Sequence, residues 1–153
     1  PCPARRPDAG CGPFFPDDRL LTDPTFSPEA ASPAPLLSVV VPVRNEVGNV
    51  APLIADIEAA CRPIGAFEVI YVNDGSSDGT AAALAALAAE RSWLRIVTHA
   101  ESCGQSAAVR SGVRHARAPI VATLDGDGQN DPAFLPAMVE ALQRAGLQAG
   151  LVQ

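Results

Sequence analysis

Two aspartates one residue apart, Asp125 and Asp127, directly follow the apolar run Ile120–Leu124. Such a run reads as a buried strand, and a strand opening into Asp-x-Asp sets two carboxylates at the carboxyl end of a sheet. Ligands of open α/β sheets bind at that edge. Carboxylates this close repel each other and lose hydration, and a divalent cation between them relieves both effects. The chemistry favoured is metal-assisted handling of a phosphorylated, nucleotide-bearing ligand. The plainer alternative is an acidic strand-to-helix turn in which Asp131 caps the following helix.

Two further polar clusters follow apolar runs: Pro42-Val-Arg44-Asn45-Glu46, and Asn73-Asp74-Gly75-Ser76-Ser77-Asp78-Gly79-Thr80. Taken singly, each reads as turn and cap chemistry. Three such clusters at one edge of a parallel sheet point to a shared site. No G-x-G-x-x-G follows the first strand and no Walker A loop is present, which removes the main support for dinucleotide and P-loop readings. His99 and His115 are the only histidines. One ends a strand and the other nears a helix end, where cationic side chains are common, so both read as structural or solvent-facing.

The elements that must position these loops alternate along the chain. Leu36–Pro42 is β-branched and continuous, as expected of a strand covered on both faces. Val50, Leu53, Ile54, Ile57, Ala60 and Cys61 repeat at helical spacing. Asn49 is placed as the N-cap of that helix, Pro52 in its first turn, and Pro63 and Gly65 end it. Strands follow at 67–72, 94–98 and 120–124. Helices are expected from about Thr80 to Glu90, capped by Ser77 or Asp78, and from beyond Gly104 to near Ala116. Pro132 opens a last helix striped by Phe134, Leu135, Met138, Val139 and Leu142 and closed by Gly146. This is an α/β pattern with a mostly parallel open sheet and flanking helices.

A length of 153 residues suits one domain with a real core. The net charge of −6 argues against a nucleic-acid surface, which needs a basic stripe. Nine of the fifteen prolines fall in residues 1–35, a segment expected to be a disordered leader. The domain is expected over 36–153. Cys2, Cys11, Cys61 and Cys103 show no C-x-x-C spacing, so unpaired thiols in a reducing compartment are expected. A Cys2–Cys11 disulfide is a possibility without support. No apolar run reaches the ~18 residues that span a bilayer. The chain opens on Pro rather than Met and stops in an apolar stretch, so it is read as a fragment lacking its carboxyl-terminal part.

Four ordered motifs now bear comparison with a known family: Val-Val-Val-Pro-Val-Arg-Asn-Glu, Val-Asn-Asp-Gly-Ser-Ser-Asp-Gly-Thr, Gly104-Gln-Ser-Ala-Ala-Val-Arg110-Ser-Gly112 and Leu-Asp-Gly-Asp-Gly-Gln-Asn-Asp-Pro. Over about residues 36–153 the chain resembles the family 2 glycosyltransferases. Gln129-Asn-Asp-Pro132 points to the polyprenyl-phosphate branch, which includes dolichol-phosphate mannosyltransferases and undecaprenyl-phosphate sugar transferases. The resemblance implies a GT-A fold, Rossmann-like, with a GDP- or UDP-linked sugar donor and Mg2+ or Mn2+. It places Pro42, Arg44 and Glu46 beside base and ribose, and Asp74 on the base edge or ribose. Asp125 would contact ribose or metal-bound water. Asp127 would be the principal metal ligand, with Gln129 as a second, and Arg110 would reach the diphosphate. Asp125 and Asp127 are thus the expected catalytic pair. Many relatives carry an aromatic residue where this chain has Arg44, and Gly126 removes a side chain between the aspartates. The resemblance also implies a polyprenyl-phosphate acceptor and a cytoplasmic location at the membrane face for the full-length protein. Two rival readings are a truncated, non-catalytic nucleotide-binding remnant and a nucleotidyltransferase. The latter would want an early phosphate loop rich in Gly, Arg and Lys, where Arg44 stands alone.

Overall fold

The computed structural model describes residues 34–146. The expected leader, apart from its last two residues, lies outside the described residues, as do Cys2, Cys11 and the chain from residue 147 onward. Strand β1 (Leu37–Val43) is buried at every position. It pairs with β2 (Phe67–Asp74) on one side and β4 (Ile120–Thr123) on the other, and β3 (Leu94–His99) lies beyond β2. All pairings are parallel, with Val40 opposite both Ile70 and Thr123.

Side-chain alternation along β1 sorts the core into two layers. Val39, Val41 and Val43 share one face with Val69 and Tyr71 of β2. They meet Val50, Leu53, Ile54 and Ile57 of α1 (Val47–Cys61), Leu84 of α2 (Thr80–Ala89), and Leu135 and Val139 of α4 (Leu135–Arg144). Val40, Ile70 and Val72 form the opposite face against Ala108 of α3 (Gln105–His115). Each side chain fully buried this way contributes roughly 1.5–3 kcal/mol relative to exposure. A Cβ on Gly112 would sit 2.3 Å from Val40 Cγ1, so α3 can lie this close to the sheet only with glycine there. Tyr71 is the exception to a satisfied core: its hydroxyl has no partner among the described residues, and burial pushes its pKa up.

Strand positions match the sequence reading to within a residue or two, but two helix starts differ. Helix α1 begins at Val47 with Glu46 as N-cap, not at Asn49. Asn49 instead donates from its side chain to Glu46 Oε2 at 2.7 Å, and Pro52 lies inside the helix rather than in its first turn. The reason is non-local. Thr80 Oγ1 accepts from the Glu46 amide at 3.0 Å, and Asp78 Oδ2 accepts from the Val47 amide at 3.3 Å. The loop before the second helix and that helix's first residue therefore satisfy amides at the start of the first. Pro132–Phe134 forms a 3-10 turn before α4, with Asp131 accepting from the Ala133 amide as the capping reading required.

The stripe expected on α4 is only half buried. Leu135 and Val139 enter the core, whereas Phe134 is 65% exposed. Phe134, Met138 and Leu142 line a groove of about 640 Å3 beside β4, the edge strand of the described sheet. Cys61 and Cys103 are both free; burial pushes the Cys61 thiol up to about 11, and Cys103 is exposed. No helix of the described residues is long and apolar enough to cross a membrane.

At the amino end of the strands, Glu68 is 4% exposed and ties three elements together. Its carboxylate accepts from Ser38 Oγ at 2.7 Å, from the Arg117 amide at 2.7 Å and from Arg95 at 2.9 Å. Burial would raise its pKa, but these donors outweigh burial and hold it below the usual value. A depressed carboxylate contributes stability that is present above its unfolded pKa and lost as pH falls through the folded one. Glu68→Gln should therefore lower unfolding free energy by roughly 2–4 kcal/mol at neutral pH, with the gap to wild type narrowing in acid. Urea titrations across pH read this directly; an equal deficit at every pH would show that charge is not the cause.

Candidate active site

Four loops leave the carboxyl ends of the strands and enclose one cleft of about 320 Å3. Its lining includes Pro42 and Val43 from the end of β1, Arg44 and Glu46 from the first loop, and Asp74 from the end of β2. Ser102, Gly104, Gln105 and Ala108 come from the loop after β3 and the start of α3, and Asp125, Gly126 and Asp127 from the loop after β4. The acidic pair and the first two clusters therefore do share a rim. Arg110 is exposed on α3 and Gln129 lines the groove beside β4; neither is among the residues lining the cleft.

The first two loops are locked to each other. Asn45 has φ of 55°, the left-handed region that asparagine tolerates. In that conformation its Oδ1 accepts from the Ser77 amide at 2.8 Å, while its own amide donates to Ser76 Oγ at 3.0 Å. Asp78 also accepts from the Thr80 amide at 2.9 Å, so one carboxylate caps α2 and reaches α1. The run Ser76–Thr80 is thus scaffold: it fixes the backbone that presents Arg44 and Glu46.

Asp74 is 4% exposed and has both oxygens committed. Oδ1 accepts from the Cys103 amide at 2.8 Å and lies 2.7 Å from His99 Nδ1; Oδ2 accepts from Ser102 Oγ at 2.8 Å and the Gly104 amide at 2.9 Å. Burial would raise its pKa, but the Cys103 amide, His99, Ser102 and Gly104 together outweigh it and hold the carboxyl well below the usual range. Next to it, Gly75 has φ of 63°, and a Cβ there would meet the Ser102 amide nitrogen at 2.6 Å. His99 reaches on to Ser111 Oγ at 2.9 Å, so the histidine is structural, as the sequence suggested, yet it is bonded to a lining residue. His115 meets the Ser111 carbonyl at the exposed end of α3.

The acidic loop is held differently. Asp125 Oδ1 accepts from Gln105 Nε2 at 2.7 Å. Asp127 Oδ1 accepts from the Gln129 amide at 3.0 Å, across a turn in which Gly128 has φ of 77°. Gly126 is buried against the end of β1, where a Cβ would meet the Pro42 carbonyl at 2.7 Å. Sequence reasoning missed Gln105, although it stands in the third motif; its signal was an amide side chain directly after a glycine at a helix start.

Four carboxylates, Glu46, Asp74, Asp125 and Asp127, face one guanidinium, Arg44, in the cleft lining. An all-oxygen, acid-rich donor set with Asp127 exposed at the rim suits a hard divalent cation carrying a phosphorylated ligand. Asp74, His99 and Cys103 also bring donor atoms within 4.8 Å of one another. Asp74 and His99 are already bonded to each other, so an ion there would have to displace the contacts that seat the loop.

The parallel sheet with flanking helices matches the GT-A fold of the glycosyltransferases it superposes on among solved structures. Residues 38–152 match the family described as Glycosyl transferase family 2, and the chain belongs to that family. It is 44% identical over 111 residues, 71% of its length, to an undecaprenyl-phosphate 4-deoxy-4-formamido-L-arabinose transferase of Pseudomonas paraeruginosa, covering 32% of that protein. A dodecaprenyl-phosphate galacturonate synthase of Rhizobium johnstonii is 42% identical over 113 residues, 72% of this chain and 33% of the relative. The chain thus spans about a third of the length of these curated relatives. Among solved structures, a mannosyltransferase of Pyrobaculum calidifontis in complex with GDP-Man and Mn2+ superposes with a TM-score of 0.56 and 30% identity, over 61% of this chain and 28% of that one. TarS of S. aureus in complex with UDP-GlcNAc superposes with a TM-score of 0.61 over 71% of this chain and 31% of that one, at 20% identity, a likeness of fold.

Asp74→Asn should place an amide NH2 among four donors and lower stability by roughly 2–4 kcal/mol, since a buried charged acceptor is lost. Because the Asp74 pKa is depressed, the wild-type advantage is present above the unfolded carboxylate value and fades as pH falls through the folded one. Thermal melts of both proteins from neutral to acid pH test this; equal melting temperatures at neutral pH would contradict the anchoring role.

Proposed function

We propose that this chain forms the donor-binding part of a glycosyltransferase that moves a sugar from a nucleoside-diphosphate donor to a polyprenyl phosphate. The observation that carries the reading is the single cleft in which Arg44, Glu46, Asp125 and Asp127 line one space. The polyprenyl-phosphate names of the relatives support the acceptor, and the solved mannosyltransferase supports a sugar nucleotide held with Mn2+.

In this reading Pro42, Arg44 and Glu46 form the wall for base and ribose. Asp74 serves as the anchor of that wall, its oxygens being taken by protein donors. Asp125 meets the ribose or a metal-bound water. Asp127 would hold Mg2+ or Mn2+, and Gln129, which lines the groove beside β4, would join it as a second ligand only by a movement of its exposed side chain. When bound, the cation supplies Lewis-acid neutralisation of the departing diphosphate. Arg110 would reach the diphosphate only by a movement of its exposed side chain. A lipid phosphate acceptor is mostly ionised at neutral pH, with a second pKa of about 6, and attacks without a protein base. A sugar-hydroxyl acceptor would need one. Such an acceptor implies work at a membrane face, and the cytoplasmic side is part of this proposal.

A second reading is a nucleotide-binding unit without turnover. It predicts metal-dependent binding with no release of nucleoside diphosphate from any sugar nucleotide. The donor-site reading itself is tested with Asp127→Ala. Calorimetry with UDP and GDP should show Mn2+-dependent binding in the wild type, its loss in the variant and an unchanged melting temperature. Equal affinity in both proteins would remove Asp127 from the site.

A further inference from the structure

Asp125 reaches the cleft from a loop, and a carboxylate on a loop can turn freely unless something holds it. Gln105 does. Its Nε2 donates to Asp125 Oδ1 at 2.7 Å, leaving Oδ2 to accept from a ligand. Gln105 is itself fixed from behind as the first residue of α3. The preceding residue, Gly104, has φ of 89° and donates its amide to Asp74 Oδ2 at 2.9 Å. The carbonyl of Gly104 accepts from the Ala107 and Ala108 amides, which closes the first turn of the helix. His99 ties Asp74 to Ser111 farther along α3. The helix start is thereby pinned to β2 and β3, while its first side chain reaches across to the loop after β4.

We infer that Gln105 is a positioning residue that acts through Asp125, setting the carboxylate's orientation toward the bound sugar nucleotide. The inference rests on the donor-site reading above. The chemistry of the side chain suits this task. A neutral amide orients a carboxylate without supplying a positive charge that would compete with a cation in the cleft. Lysine or arginine at this position would pair with Asp125 and cancel the charge the site offers to a metal. Glutamate would face Asp125 and set a fifth carboxylate in the cleft lining.

The test is a graded series in the whole chain: wild type, Gln105→Met, Gln105→Ala and Gln105→Glu, titrated with UDP and with GDP in the presence of Mn2+. Methionine keeps the length and helix propensity of glutamine and removes the amide donor. If the donor is what matters, Met and Ala should weaken binding alike, by roughly tenfold for one hydrogen bond to a charged group, and Glu should weaken it further. Melting temperatures of the metal-free proteins should stay level across Met and Ala. A role in packing would give another order, with Met equal to wild type and Ala worse, and that result would overturn the inference while the donor-site reading stood. Wild-type affinity in both variants would overturn it as well. Failure of the unsubstituted chain to bind either nucleotide with Mn2+ would overturn both the inference and the reading beneath it.

Discussion

The carboxylate of Asp74 is the constraint on which the cleft depends. It is buried at the end of β2 and meets three donors from consecutive residues, Ser102, Cys103 and Gly104, besides His99. A buried charge stays ionised only if its lone pairs are met, and here the loop after β3 meets them. The requirement works in both directions. The loop supplies the donors the charge needs, and the charge fixes the loop, so α3 starts at a defined place on the sheet. Gly75 completes the fit, because a side chain there would strike the backbone of Ser102.

From that anchor the geometry spreads across the sheet edge. The second loop holds the first through Ser76, Ser77, Asp78 and Thr80, and α3 holds the fourth through Gln105. Each loop that lines the cleft is therefore bonded to another loop or helix start, not merely to its own strand. Such cross-bracing suits a site that gathers negative charge, since Glu46, Asp125 and Asp127 would otherwise drift apart by repulsion. The scaffold holds these groups in one rim.

The layered fold was legible because β1, β2 and β4 are short apolar runs separated by helical periodicity and turn residues, signals that reside within each segment. The start of α1 was not. Asn49 looked like a cap by local chemistry, but the Glu46 and Val47 amides are satisfied by Thr80 and Asp78, some thirty residues away. A local scan has no access to that pairing. The same limit hid two assignments within the site. Asp74 has the residue type and position of a ligand contact, yet its oxygens are consumed by a loop whose approach only the topology reveals. Gln105 carried no charge to draw notice, and its role follows from where α3 begins. The candidate site residues of the motifs line one cleft, apart from Arg110 and Gln129; which side chains brace it depended on long-range hydrogen bonds.

The central claim is that the acidic rim around Asp127, not the neighbouring Asp74–His99–Cys103 group, receives the divalent cation. Anomalous scattering from crystals grown with Mn2+ and a nucleoside diphosphate measures this directly. The account predicts a manganese peak against the Asp127 carboxylate, with the contacts of Asp74 to Ser102, Cys103, Gly104 and His99 intact. A peak seated between Asp74, His99 and Cys103, with those contacts broken and Asp127 bare, would contradict it.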